Sequence, residues 1–219
     1  MPKRIHRSIL ALAALAFAAL ASAPAVAQDV FITQEIPFVE FDNGVEFHVI
    51  ERNQDNDATI PDAFALTSRP CPPFCIQPLV AAPGVETYGE LELLQFLEDK
   101  VQTGEGVLVD ARLESWYQGG TIPGSINLPF NLFENPESNP FLVPVLELLG
   151  GKQDSVGGWD FDEAKELGMF CNGPWCGQSP RAIKNLLSVG YPAEKLKYYR
   201  GGMQAWLALG LSTFVPGTS

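Results

Sequence analysis

One segment has residue types and spacing suited to chemistry: Phe170-Cys171-Asn172-Gly173-Pro174-Trp175-Cys176-Gly177-Gln178-Ser179. An apolar run precedes it and a helix-like stretch follows. Cys171 therefore falls where a strand ends and a glycine-containing turn begins. Backbone N–H groups of such a turn, together with the N-terminus of the next helix, form an anion-binding cradle. A thiol there has its thiolate favoured, and the thiolate is the nucleophile and sulfur carrier. Cys171 and Cys176 are the candidate catalytic residues. Asn172, Gly173, Trp175, Gly177, Gln178 and Ser179 are candidate substrate contacts, joined by Arg181 from the first helical turn. Cys176 has two readings that the sequence leaves open. It can attack a group carried on Cys171 and close a disulfide, or it can be a permanent structural partner of Cys171.

The elements that must hold this loop alternate from about residue 86 onward. A helix is expected from Gly89 to Asp99, with Leu91, Leu94 and Leu97 on an apolar face widened by Leu93 and Phe96. Gly106 to Asp110 reads as a buried strand, Leu142 to Leu149 as a helix and Leu167 to Phe170 as a second buried strand. Pro180 to Val189 reads as a helix ended by Gly190, Leu196 to Tyr199 as a strand and Met203 to Leu209 as a closing helix. Alternating strands and helices imply an α/β domain with a mostly parallel sheet. Asp110 and Arg112 follow a strand, at the edge where active-site loops gather in such sheets. They are candidate substrate contacts too, weighed against an internal salt bridge. Trp116 and Trp206 read as core.

Upstream the pattern is β-rich. Phe31 to Phe41 and Val45 to Glu51 alternate in hydropathy around Asp42-Asn43-Gly44, a hairpin turn signal. Asn53 to Asp57 reads as an exposed loop, and Ala63 to Thr67 as a short strand. Arg69-Pro70-Cys71-Pro72-Pro73-Phe74-Cys75 is a proline-stiffened connector, outside helix interiors and central strands.

Residues 1–27 have the form of a secretory signal peptide: basic Lys3, Arg4 and Arg7, an apolar run from Ile9 to Ala21, and Ala25-Val26-Ala27 at the cleavage site. The expected organisation is a signal peptide at 1–27, a β-rich extension at 28–84 and an α/β domain at 85–219. The location expected is the periplasm, with no membrane anchor after cleavage. Losing three basic residues and no acid takes the net charge from −12 to −15. That balance argues against nucleic acid and anionic membranes as partners. All four cysteines lie beyond residue 27, and an oxidising compartment makes disulfides their default. Cys71 with Cys75 is the expected local pair. It could also dock over the active loop and relay electrons or sulfur. No metal or cofactor is called for.

Four separated motifs coincide: Val109-Asp110-Ala111-Arg112, Ile122-Pro123-Gly124-Ser125-Ile126-Asn127-Leu128-Pro129, Phe170-Cys171, and Tyr199-Arg200-Gly201-Gly202-Met203-Gln204-Ala205-Trp206. Their order and spacing resemble the rhodanese family over roughly residues 85 to 212. The resemblance implies a central parallel sheet flanked by helices and an active-site cysteine, Cys171, that carries sulfur as a persulfide. The loop departs from the usual family pattern, which has a glycine three residues after the cysteine and an Arg-Ser pair at five and six. Pro174 and Cys176 stand at the third and fifth places. Alignment through Ala182, Leu186 and Gly190 instead puts Gln178-Ser179 in place of Arg-Ser, with a loop about two residues longer. Either way the loop arginine is missing, and with it the natural partner of an oxyanion such as thiosulfate. Related phosphatases use an arginine six residues after the cysteine, where this chain has Gly177.

The function expected is an exported sulfurtransferase that loads Cys171 from a small sulfur-containing substrate and passes the sulfur to a thiol acceptor, either a small reductant or a partner protein. The alternatives are a thiol–disulfide oxidoreductase using Cys171 and Cys176, and a non-catalytic module that binds a partner protein through the same loop.

Overall fold

The computed structural model describes residues 29–68, 70–71, 75–136 and 138–217. The expected signal peptide at 1–27 lies outside the described residues, as do Arg69, Pro72, Pro73 and Phe74 of the connector. The chain opens with a hairpin of Phe38–Asp42 (β1) and Phe47–Glu51 (β2), then a single helical turn, Asp62–Ala65 (α1). Then come Glu86–Tyr88 (β3), Glu90–Phe96 (α2), Gly106–Asp110 (β4), Glu114–Tyr117 (α3), Ser125–Asn127 (β5) and Leu142–Leu148 (α4). A two-stranded flap, Lys152–Gln153 (β6) and Trp159–Asp160 (β7), precedes Glu166–Phe170 (β8) and Gln178–Ser188 (α5). Leu196–Tyr199 (β9) and Gly202–Ala208 (α6) complete the order.

The main sheet runs β3-β9-β8-β4-β5, and every neighbouring pair is parallel. A parallel sheet must be covered on both faces, because its crossovers lay helices over each. Successive strand residues divide accordingly. Val109, Leu167, Met169, Leu196 and Tyr198 pack with α4 and α5 residues such as Leu146 and Ile183. Leu108, Phe170 and Tyr199 face the other way, onto Leu93, Leu97 and Trp206 of the α2 and α6 regions. From β4 the chain goes to β5 on one side and later to β8 on the other. The order thus reverses between β4 and β8, and ligands of open α/β sheets bind in the crevice beyond the carboxyl ends of such strands.

The elements expected downstream of residue 86 are present in the expected order, with two local differences. Leu91 is half exposed, so the buried face of the first helix is Leu93, Leu94, Phe96 and Leu97. That helix then runs through a π-helical turn, Leu97–Val101, in which the Gln102 N–H reaches the Leu97 carbonyl at 3.0 Å. In the extension, the hairpin forms about Asn43-Gly44, but its first strand starts at Phe38, well after Phe31. Ala63 to Thr67 is not a strand. Pro61 sets up a helical turn in which the Phe64 N–H bonds the Pro61 carbonyl at 2.8 Å and the Phe64 ring is buried.

The extension is built into the α/β core. Val39, Phe41 and Ile50 belong to the same buried cluster as Leu94, Met203 and Trp206. The Asn53 N–H bonds the Gly210 carbonyl at 2.7 Å, and the Ser212 N–H bonds the Glu51 carbonyl at 3.0 Å. Gly124 has φ +78°, and a Cβ there would lie 2.6 Å from the Phe41 ring, so this motif glycine admits the hairpin. Among the described residues no helix is long and apolar enough to cross a membrane.

Because the hairpin shares the main core, Phe41→Ala should cost about 3–5 kcal/mol within one cooperative transition. Urea unfolding followed by both circular dichroism and tryptophan fluorescence checks this. A separate early transition that leaves the main one in place would show the hairpin to be an independent unit.

Candidate active site

Cys171 directly follows β8, and Ala111-Arg112 directly follows β4. The Ala111 N–H to the Phe170 carbonyl (3.0 Å) joins the two strand ends at the crevice. The loop from Cys171 to Gly177 then turns into α5, with Cys176 N–H bonded to the Gly173 carbonyl at 2.9 Å. The N-terminus of α6 holds the loop from behind. Met203 N–H bonds the Cys171 carbonyl and Gln204 N–H the Asn172 carbonyl, both at 3.0 Å. Gly202 makes this approach possible. It has φ +55°, and a Cβ there would run into the Cys171 carbonyl and come within 2.7 Å of the Gly173 nitrogen. The Trp175 indole N–H donates to Gln204 Oε1 (2.8 Å), and the Gln204 amide donates to the Phe64 carbonyl (2.9 Å). Loop, last helix and extension are thereby tied together.

Both cysteines of the loop are buried free thiols, and Cys71 and Cys75 form a disulfide. Burial pushes the Cys171 thiol up. Hydrogen bonds from the Cys176 thiol, the Ser179 hydroxyl and the N–H groups of Ser179 and Gly173 outweigh it and bring Cys171 down to about 7. Ser179 Oγ is 3.1 Å from the sulfur. The Cys176 carbonyl, an acceptor 3.3 Å from the sulfur, favours the thiol form. Cys176 is driven the other way, first by its hydrogen bond to Cys171 and then by burial, and stays protonated. Above about pH 7 the pair is therefore one thiolate, Cys171, and one thiol, Cys176.

Asp110 and Arg112 turn inward, away from the cleft. Arg112 Nε lies 2.9 and 3.0 Å from the two Asp110 oxygens, Nη2 lies 2.6 Å from Oδ2, and both side chains are buried. Nη2 also donates to the Gly120 carbonyl (2.7 Å) and Nη1 to Asn172 Oδ1 (3.3 Å). The Thr121 hydroxyl adds a bond to Asp110 at 2.8 Å. The pair anchors the loop through Asn172. It is the internal salt bridge weighed against substrate contact above.

Beside the loop lies a cleft of about 500 Å³. Asn172, Trp175, Cys176, Gly177, Gln178 and Arg181 line it, whereas Cys171, Gly173 and Ser179 are buried and stand outside its lining. The guanidinium of Arg181 stacks 4.7 Å over Phe130 and pairs with Glu134. His48 packs against Phe41 and Phe214 and bonds Asn43 at 3.1 Å, so it serves the hairpin.

The rhodanese-like domain family matches residues 92–209, just over half of the chain. The chain belongs to that family. It is 30% identical over 110 residues to an HTH-type transcriptional regulator of Mycobacterium tuberculosis, an alignment covering 50% of this chain and 38% of the regulator. Among solved structures, one named as a probable thiosulfate sulfurtransferase is 32% identical, with 49% of this chain and 42% of that chain covered and a TM-score of 0.35. The human single-domain sulfurtransferase is 20% identical, with 57% of this chain and 96% of that chain covered and a TM-score of 0.39. The chain thus spans well under half the length of the regulator and of the first of these structures.

In this rhodanese-like domain the serine that meets Cys171 is Ser179, the residue that helix-anchored alignment sets in the family serine position. Gln178 Oε1 lies 3.6 Å from the Cys176 sulfur. Several cleft residues were invisible to sequence reading. Trp116, read as core, packs partly buried against the core and edge-on to Phe64, and it lines the cleft as well. Cys75 and Gln77 reach it from the extension, and Leu113, Phe130 and Lys184 complete its wall. The Tyr198 hydroxyl is buried without a hydrogen-bond partner. Burial and then the Cys171 charge hold it protonated. No local motif marks any of these; contact across the fold does.

Two expectations follow. With Cys171 near 7, its thiolate absorbance should rise as pH passes upward through about 7. Ser179→Ala should move that midpoint up by roughly one to two units, since a hydrogen bond to a charged group contributes about 1.5–3 kcal/mol. An unmoved midpoint would remove Ser179 from the account. Asp110→Ala, which leaves a guanidinium buried without its partner, should destabilise the fold by about 3–5 kcal/mol, as read by thermal and urea unfolding.

Proposed function

We propose that this protein is an exported sulfurtransferase that carries sulfane sulfur on Cys171. The observation that carries the reading is the division of protons in the loop: donors from Ser179 and Gly173 favour the Cys171 thiolate while Cys176 remains a thiol. In the loading step the Cys171 thiolate attacks a terminal sulfur of a polysulfide. One S–S bond forms, one breaks, and the shortened polysulfide leaves with the electron pair. In the unloading step an acceptor thiolate takes the outer sulfur of the persulfide, and Cys171 leaves as the stabilised thiolate. Arg181 and Lys184 are the charged residues of the cleft wall, and no acid lines it. In a chain of net charge −12, Lys184, beside an Arg181 that Glu134 already pairs, supplies local attraction for an anionic sulfur donor. Export rests on the pattern of residues 1–27 and accords with the Cys71–Cys75 disulfide, a bond that persists in oxidising compartments.

Contact between the Cys176 thiol and Cys171 favours a second reading, thiol–disulfide exchange by this pair. Mass spectrometry after exposure to polysulfide separates the readings. A gain of one sulfur on Cys171, released by cyanide and lost in Cys171→Ser, is the expected outcome, with thiosulfate a poorer donor than polysulfide. A Cys171–Cys176 disulfide that exchanges with glutathione, and no persulfide at any time, would establish the oxidoreductase instead. If neither modification forms, the loop is a binding surface.

A further inference from the structure

One cysteine from each of two pairs lines the cleft, and the pairs stand in opposite redox states. Cys71 and Cys75 are joined, with Cys71 exposed and Cys75 half-buried. Cys171 and Cys176 are free and buried. Cys75 and Cys176 line the same cleft. The extension is held there by several bonds. The Gln77 N–H donates to the Pro174 carbonyl of the active loop at 2.8 Å, and the Gln77 side-chain amide donates to the Cys75 carbonyl at 2.9 Å. A Cβ at Gly177, next to Cys176, would lie 3.5 Å from that same amide nitrogen. Arg200 clamps the segment from the far side, with Nη2 2.9 Å and Nε 3.2 Å from the Gln77 carbonyl and Nε 3.2 Å from that of Pro78. A purely structural disulfide between residues four apart has no need of such a seat.

We propose that Cys71 and Cys75 form an outer redox pair that reduces a Cys171–Cys176 disulfide and passes the oxidation to an external protein dithiol. The need for it arises within the sulfur-transfer reading, on which this inference builds. When Cys176 attacks the inner sulfur of a Cys171 persulfide, a Cys171–Cys176 bond forms, the persulfide bond breaks, and the outer sulfur departs as hydrosulfide with the Cys176 proton. The resulting inner disulfide is buried and must be reopened. The reduced Cys75 thiolate attacks the Cys176 sulfur, and Cys171 leaves as a thiolate, the better leaving group of the inner pair because Ser179 and Gly173 stabilise it. The Cys71 thiolate then attacks the Cys75 sulfur, and Cys176 leaves and takes up a proton. Two electrons have moved inward, producing the state observed: outer disulfide, inner thiols. The exposed Cys71 sulfur is where the external dithiol attacks to reduce the outer pair again.

The test uses the full exported chain, reduced, freed of reductant, treated with slightly less than one equivalent of polysulfide and quenched with an alkylating agent at intervals. Peptide mass mapping should show the Cys171–Cys176 disulfide first and then the Cys71–Cys75 disulfide at its expense, at a rate independent of protein concentration. Cys71→Ser should accumulate a Cys75–Cys176 mixed disulfide, and Cys75→Ser should stop at the inner disulfide. An outer disulfide that forms equally fast in Cys176→Ser, or a Cys71→Ser protein that never links Cys75 to Cys176, overturns the relay. The same digests report sulfur on Cys171, so loss of the relay with a persulfide present is distinct from failure of sulfur transfer itself.

Discussion

A carboxylate and a guanidinium taken out of water together hold in place the end of the sheet that carries the Cys171 loop. Asp110 ends strand β4, and Arg112 folds back on it through four contacts of 3.0 Å or less, counting the Arg112 backbone N–H. Desolvating two charges is costly, and the cost is offset only if their remaining donors and acceptors are satisfied. Here the Gly120 carbonyl, the Thr121 hydroxyl and Asn172 Oδ1 satisfy them. Those same bonds fasten the turn before β5 and the first residue after Cys171 to the sheet. The pair therefore sets where the loop begins.

Given that anchor, the chemistry of Cys171 is a contest between burial and hydrogen bonding. An apolar sheet end would leave a buried thiol neutral and inert. The turn into α5 brings the Ser179 hydroxyl and two backbone N–H groups to the sulfur, and these donors win. Helix α6 makes that turn rigid by donating two N–H groups to the carbonyls of Cys171 and Asn172. Gly202 is needed because any side chain there would occupy the loop's own backbone. The second cysteine, five residues on, adds a thiol that stays protonated beside Cys171.

The extension changes the site as much as the fold. Its hairpin buries Phe41 over Gly124 and seals one face of the sheet. The chain then passes from Phe64, bonded by Gln204, to Gln77, bonded to Pro174. This path carries Cys75 to the cleft wall, where a single-domain rhodanese fold by itself would present only its own loop.

Sequence by itself determined the order of the longer strands and helices from residue 86 onward, because buried apolar runs and amphipathic spacing are local properties of the chain. It left out the three-residue strands β3 and β5, too short to show a pattern. It also singled out Cys171, through its place between strand and helix, and Cys71 with Cys75 as a local pair. It misjudged Ala63 to Thr67 because the turn there depends on Pro61 and on a pocket for Phe64. Tertiary structure alone decided that Asp110 and Arg112 bond each other, that Ser179 reaches Cys171, that Trp116 lines the cleft, and that Cys75 lines the same cleft as Cys176. The reason is that a side chain's partner, and with it the energy of its charge, is set by what the fold brings near from distant parts of the chain. No residue type or spacing along the chain encodes that distance.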